Sequence, residues 1–384
     1  MKDFDVRYIT STYCSVAWLK VSPYQGSSQD IGTHVFGAQQ LAVLYWAESG
    51  IDFDIEKVIE MLAFHASKKI IMYDSMKKLC VEFYENQTRE AQLAQFFICV
   101  EKLIQDFDFL KEYMQEIKNI KSRYYVASNE AKISDIDYTN LCDDLTKSRD
   151  LADFKFAFAP AFMRLSQDFP DFDPGIETWN RIFVRYCILS ELKTKVRKGP
   201  VYWNVRIPHY EVVAEHVFGT QSIAWLMGHH QNNVNIHKVV MMLAIHETEE
   251  SIMPDFTPYD PVSPEKMIEM GRKAVNVVFG GLERYELIAS LLDEFNAKQT
   301  QDGIFAHYCD KLEFNFMIKI YSDLKLCTIE GGDEIVLNDP EIQANIKKGA
   351  KTVADLIAMH EMPKFKGTNF EKVLRYLQVY DTSK

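Results

Sequence analysis

Apolar residues recur at every third or fourth position in 35–48, 55–66, 92–104, 176–196, 211–227, 236–250, 283–295 and 306–326, and neither half shows sustained two-residue alternation. A 3.6-residue period lets a helix bury one stripe and solvate the rest, so both halves are expected to be mostly helical. One stripe ends in chemistry. Val239, Met242, Leu243 and His246 follow the i, i+3, i+4, i+7 rule, Glu250 stands four residues beyond His246, and Glu247 lies about 100° further round. A helix over 236–250 would therefore begin apolar and end in an imidazole and carboxylates, groups that need partners at the edge of a core.

The pattern occurs twice. Residues 33–46, THVFGAQQLAVLYW, match 215–226, EHVFGTQSIAWL, with His34 and His216 in register. A second motif follows each at nearly equal distance, MLAFHASKK with His65 and MLAIHETEE with His246. Upstream, RYITSTYCSVAWLK (7–20) and RYCILSELKTK (185–195) are both amphipathic. Between the copies SQDFPDFDPG (166–175) breaks the periodicity with prolines, a glycine and aspartates. The expected organisation is all-α, two tandem helical domains, 1–165 and 166–384, in line with roughly 150 residues per domain.

Composition narrows the classes. The 384 residues are 47% hydrophobic and 26% charged, as in folded globular proteins. A net charge of −12 disfavours long nucleic acid as a partner. The start MKDFDVRYIT lacks the basic and apolar runs of a signal peptide, and no stretch of about 18 apolar residues follows, so a cytoplasmic, non-membrane protein is expected. Seven scattered cysteines without a C-x-x-C pair read as reduced, structural thiols.

A third element joins the two histidine motifs of the second half. In HYCDKLEFNFMIKIYSDL, Asp310 heads a stripe of Phe314, Met317, Tyr321 and Leu324. Taken singly, each histidine also fits a core residue satisfied by a backbone carbonyl. Together with buried carboxylates, two imidazoles make a cage for a divalent cation, and mixed N/O donors suit Mn, Fe, Co, Ni or Zn better than Ca. Four protein ligands leave room on an octahedral ion for water and a phosphate oxygen, the arrangement of a hydrolytic site.

The order His, His-acid some 30 residues later, and Asp-Lys-Leu-Glu about 60 residues after that resembles the HD-domain metal-dependent phosphohydrolases, over about 200 residues of the second half. AEHVFGTQSIAWL, MMLAIHETEESIMPDFTP and DKLEFNF look most like the bacterial 5′-deoxynucleotidase branch. The resemblance implies one divalent ion (Mn, Co, Fe, Ni, Zn or Mg) on His216, His246, Glu247 and Asp310, with Glu250 handling water and substrate. The chain departs from the family in reading His-Glu where the namesake pair is His-Asp. In the proline-rich segment SIMPDFTPYDPVSP (251–264), the resemblance points to Asp255 as a catalytic residue and Thr257 as a substrate contact. Upstream, VRKGPVYWNVR (196–206) offers Arg197, Lys198 and Arg206 for a phosphate and Trp203 for a base or sugar.

The implied activity is hydrolysis of a nucleotide phosphomonoester, a (deoxy)nucleoside 5′-monophosphate, with a homo-oligomer left open. The rival is a regulatory protein that keeps the fold to bind a nucleotide or a partner protein. In the first copy Ala66 replaces the acid after the second histidine and Lys69 takes the place of Glu250, so no complete metal site is expected there. Asp135 or Asp137 is the loose counterpart of Asp310.

Overall fold

The computed structural model describes residues 4–24, 29–65, 74–104, 108–125, 138–155, 158, 163, 167–256 and 262–383. Among them the chain is all-α. Its extended pairings are isolated bridges, Pro23 with Asp30 and Val196 with Val212. The first half contributes α1 (Val6–Lys20), α2 (Ile31–Glu48), α3 (Ile55–Phe64), α4 (Asp74–Glu85), α5 (Arg89–Ile104), α6 (Asp108–Tyr125) and α7 (Tyr138–Leu151). Next come α8 (Ile176–Leu189), α9 (Lys198–Tyr202), α10 (Val213–Gly228), α11 (Ile236–Ile245), α12 (Pro264–Phe279), α13 (Tyr285–Ala297) and α14 (Gln301–Asp323). Four shorter helices close the chain, α15 (Glu334–Leu337), α16 (Pro340–Lys347), α17 (Val353–Glu361) and α18 (Asn369–Val379).

Local chemistry fixes many of the starts. Asp5, Asp30, Asp54, Asn235, Ser263 and Thr300 each accept a backbone N–H from the first turn of the helix they precede, which satisfies donors that the helix itself leaves without partners. Pro264 begins α12, where its missing N–H is no loss.

α2 and α10, the two helices that open the repeated motifs, have almost no solvent face. Every residue of α10 is buried, and so are most of α2. A helix apolar all round belongs inside a larger body, and the two pack against each other at its centre. Around them the neighbours correspond: α2 contacts α3, α5 and α8, while α10 contacts α11, α14 and α1. One continuous cluster of buried hydrophobic residues runs from Ile9 to Leu377 and draws on both halves.

The 236–250 helix ends earlier than its periodicity predicts. α11 stops at Ile245, His246 caps it, and residues 248–251 form a tighter 3-10 turn. Lys195 accounts for the change: its ammonium donates to the carbonyls of Glu250 and Met253, both at 2.6 Å, and holds the acidic segment in a turn. Glu250 consequently leaves the His246 stripe.

Candidate metal centre

Each side chain of the cluster is delivered by an element whose position has a local cause. His216 lies in the first turn of α10. Just before it, residues 195–197 pair antiparallel with 211–213, through Arg197 N–H to the Glu211 carbonyl (3.1 Å) and Val213 N–H to the Lys195 carbonyl (2.9 Å). That pairing brings Arg197 over the start of α10. His246 and Glu247 stand at the end of α11, and Asp310 comes from the middle of α14, which packs on both helices.

One ligand atom each from His216, His246, Glu247 and Asp310 lies within 4.8 Å of all the others. His216 Nδ1 bonds to Glu313 Oε2 (2.7 Å), leaving Nε2 at 3.1 Å from Asp310 Oδ1 and 3.5 Å from Glu247 Oε1. His246 Nδ1 donates to the Leu243 carbonyl (2.8 Å); its Nε2 is buried, makes no hydrogen bond and faces Glu247 Oε1 at 3.4 Å. Because both Nδ1 atoms face acceptors, both Nε2 atoms are turned toward the same small volume. This donor set, with a buried nitrogen left without a hydrogen bond, fits a transition metal.

The electrostatics point the same way. Burial acts to raise the Glu247 carboxyl, but His246, Arg197 and His216 hold it well below the usual carboxylate range. Burial opposes ionisation of Asp310 too, and Lys311 with His216 overcomes it. Burial and Arg197 push the His216 imidazole down, yet Glu313 and Asp310 carry it up to about 9. Three converging carboxylates thus favour positive charge at their centre, supplied by a proton in the free protein.

Other sequence-predicted residues spread over a wider area. Arg197 is mostly buried and donates to Glu247 Oε1 at 3.0 Å. The Lys198 N–H donates to Asp255 Oδ2 at 2.8 Å, tying the basic segment to the 251–264 loop. Glu250 has one buried carboxylate oxygen without a hydrogen bond, lies 3.6 Å from Lys195, and is pushed well up by burial and by the charges of Glu247 and Asp255. Arg206 is exposed, its backbone held by the Leu326 carbonyl. Trp203, expected to be open to a base or sugar, is instead only 3% exposed, because its ring packs over Gly332 in the core. Thr257 lies outside the described residues.

Glu313, one turn beyond Asp310, stands in the Asp-Lys-Leu-Glu motif, but the sequence assigned it no role, and the structure places it behind His216. Its oxygens accept from His216, from the Tyr13 hydroxyl (2.6 Å) and from Lys20 (2.7 Å). The available signal was a shared pattern, Tyr-Cys-x4-Leu-Lys, at 13–20 and 186–193.

The first copy has the same outer frame around a different centre. His34 Nδ1 pairs with Glu101, and His65 Nδ1 bonds the Leu62 carbonyl at 2.8 Å. Three residues before Glu101, where Asp310 precedes Glu313, stands Ile98. Ile98 thus holds the register position of Asp310 in this copy; Asp135 and Asp137 lie outside the described residues, as do Ala66 and Lys69. The Tyr24 ring stacks on His34 with centroids 3.8 Å apart, adding an aromatic cover.

Residues 189–348 match the family model described as HD domain. Three curated proteins named as 5′-deoxynucleotidases are similar to the chain. The one from Dictyostelium discoideum is 26% identical over 136 residues, covering 33% of this chain and 70% of the relative. The Schizosaccharomyces pombe protein is 28% identical over 131 residues, 33% of this chain and 64% of its own length. That of Saccharomyces cerevisiae is 24% identical over 137 residues, 35% of this chain and 56% of the relative. No solved structure matches the chain, and among the described residues no helix is long and apolar enough to cross a membrane. Its histidines and acids gather at one point within 189–348, the stretch that is similar to the HD domain family.

Proposed function

We propose that the second half of this chain is a metal-dependent phosphohydrolase that removes phosphate from a nucleotide, a (deoxy)nucleoside 5′-monophosphate, with His216, His246, Glu247 and Asp310 as the ligands. The observation that carries the reading is the convergence of those four side chains within 4.8 Å, with both imidazoles held so that Nε2 faces inward. A divalent cation bound there supplies Lewis acidity toward a phosphoryl oxygen and a lowered pKa for water. The protein supplies the rest. Arg197, buried beside Glu247, offsets the charge of an incoming phosphate. Glu250 takes a proton from the attacking water or returns one to the leaving oxygen, and Asp255 accepts the Lys198 N–H and so holds the backbone beside Arg197.

Glutamate at 247 is compatible with the role, since it keeps the carboxylate and extends it by one methylene. The three relatives with a nucleotidase name support the substrate class. Protein purified without chelator should carry about one transition metal per chain, and phosphate release should follow on a nucleoside monophosphate panel with Mn, Co, Mg, Ni and Zn. Metal-free protein that stays inactive across the panel would replace this reading with that of a regulatory binding protein.

A further inference from the structure

Lys20 is fully buried between two carboxylates of the other half. Its ammonium pairs with Glu211 and, at 2.7 Å, with Glu313 Oε1. Tyr13, two turns earlier on α1, donates to the same Glu313 oxygen at 2.6 Å. Glu313 Oε2 then accepts from His216 Nδ1. Four buried side chains thus form a line from the first helix of the chain to the imidazole at the candidate metal centre.

The first copy contains the mirror of this line. Glu101 Oε1 accepts from Lys193 at 2.8 Å and lies 3.5 Å from the Tyr186 hydroxyl, while its other oxygen pairs with His34 Nδ1. Tyr186 and Lys193 repeat the seven-residue spacing of Tyr13 and Lys20, with Tyr186 on α8 and Lys193 at the end of the 3-10 turn that follows it. Gly37 and Gly219 are needed where these groups crowd α2 and α10: a Cβ would come within 2.8 Å of the Tyr186 hydroxyl in one case and 2.7 Å of the Tyr13 hydroxyl in the other. The upstream helices are therefore exchanged, each completing the histidine–glutamate pair of the opposite copy.

We infer that Lys20 and Tyr13 are positioning residues of the second-half metal centre, delivered by the copy that lacks a complete centre of its own. This rests on the reading of His216 as a ligand. Lys20 and Tyr13 hold Glu313 in place through two hydrogen bonds to its Oε1. Glu313 in turn holds the proton of His216 on Nδ1, directs Nε2 at Asp310 and Glu247, and strengthens the imidazole as a donor. The mirror line in the first half has Ile98 where the centre needs Asp310, so the same four-residue device there only supports packing.

The test uses the full chain in matched pairs: Lys20→Met and Tyr13→Phe against Lys193→Met and Tyr186→Phe. The readouts are the Mn dissociation constant by EPR titration and the Co(II) absorption spectrum. Lys20→Met should weaken Mn binding roughly 10- to 100-fold and alter the Co(II) bands; Tyr13→Phe, which removes only a hydroxyl, should weaken it several-fold. Both mirror variants should bind as the parent does. If Lys20→Met does not fold, Tyr13→Phe with its mirror decides. Equal losses in the two pairs, or parental binding in the α1 variants, would overturn the inference while leaving the metal centre intact. A parent chain that takes up neither Mn nor Co would instead overturn the proposed function.

Discussion

Gln39 and Gln221 exchange hydrogen bonds at the contact between α2 and α10, Nε2 of each reaching Oε1 of the other at 3.1 and 3.3 Å. Each amide also donates to a carbonyl of the following helix in its own copy, Gln39 to Ile59 (3.1 Å) and Gln221 to Val240 (3.2 Å). Both glutamines occupy the same position in the repeated motif, five residues after His34 and His216. A contact in which i meets j as j meets i is the mark of an isologous interface, here inside one chain. Gln39→Leu should cost about 1–3 kcal/mol by leaving Gln221 and the Ile59 carbonyl without their partner. The double change Gln39→Leu with Gln221→Leu should cost less than the two singles together, by about 0.5–3 kcal/mol. Urea unfolding of the four proteins measures the coupling.

The two histidine motifs should respond unequally to truncation. His246→Ala removes a nitrogen from the four-ligand cluster and is expected to abolish metal binding and phosphate release. His65→Ala should leave metal stoichiometry unchanged, because Ile98 stands in the carboxylate position of that copy. Metal analysis of the two variants beside the parent decides the matter, and equal losses would identify a second centre.

The glutamate in the namesake pair gives a graded test. Glu247→Asp keeps the carboxylate and should retain metal with an altered rate. Glu247→Ala leaves Arg197 without its partner and removes one negative charge from the cluster, so metal should be lost. Parental metal content in the alanine variant would move the carboxylate ligand to a neighbour such as Glu249 or Glu250.

Acid should weaken the first copy through Glu101. Burial opposes its ionisation, but Lys193 and His34 bring its carboxyl down from 4.5 to about 2. A depressed folded-state value means that the unfolded chain binds more protons between those limits. The contribution is therefore complete above about pH 4.5 and is lost as pH falls toward 2, on the order of 3 kcal/mol over the window. Glu101→Gln removes this titration, so the stability gap between parent and variant should narrow steadily from pH 5 to pH 3 in denaturant unfolding.

The helices and the four clustered residues were legible because each depends on short-range order. A 3.6-residue stripe is local, and His216, His246, Glu247 and Asp310 stand in three separate motifs with recognisable spacing. The end of α11 at Ile245 was hidden because Lys195, some 50 residues away, sets it by binding two carbonyls. Trp203 looked available because basic and aromatic neighbours are common on surfaces; its burial depends on Gly332, more than 100 residues later. Lys20 could not be paired with Glu313 from sequence, since the exchange of α1 and α8 between copies is a property of the tertiary arrangement alone.

That exchange also sets the order of assembly. Tyr13 and Glu313 are 300 positions apart, and Lys20 and Glu313 are 293. A contact of such span is slow to close and yields nothing until nearly the whole chain is available. During synthesis α1 can pack on α2 and α10 before α14 emerges, but Tyr13 and Lys20 must wait for α14 to bring Glu313. Until α14 arrives, the polar side chains that α1 buries lack their partner, and incompletely packed surface of this kind is what exposes a folding chain to aggregation.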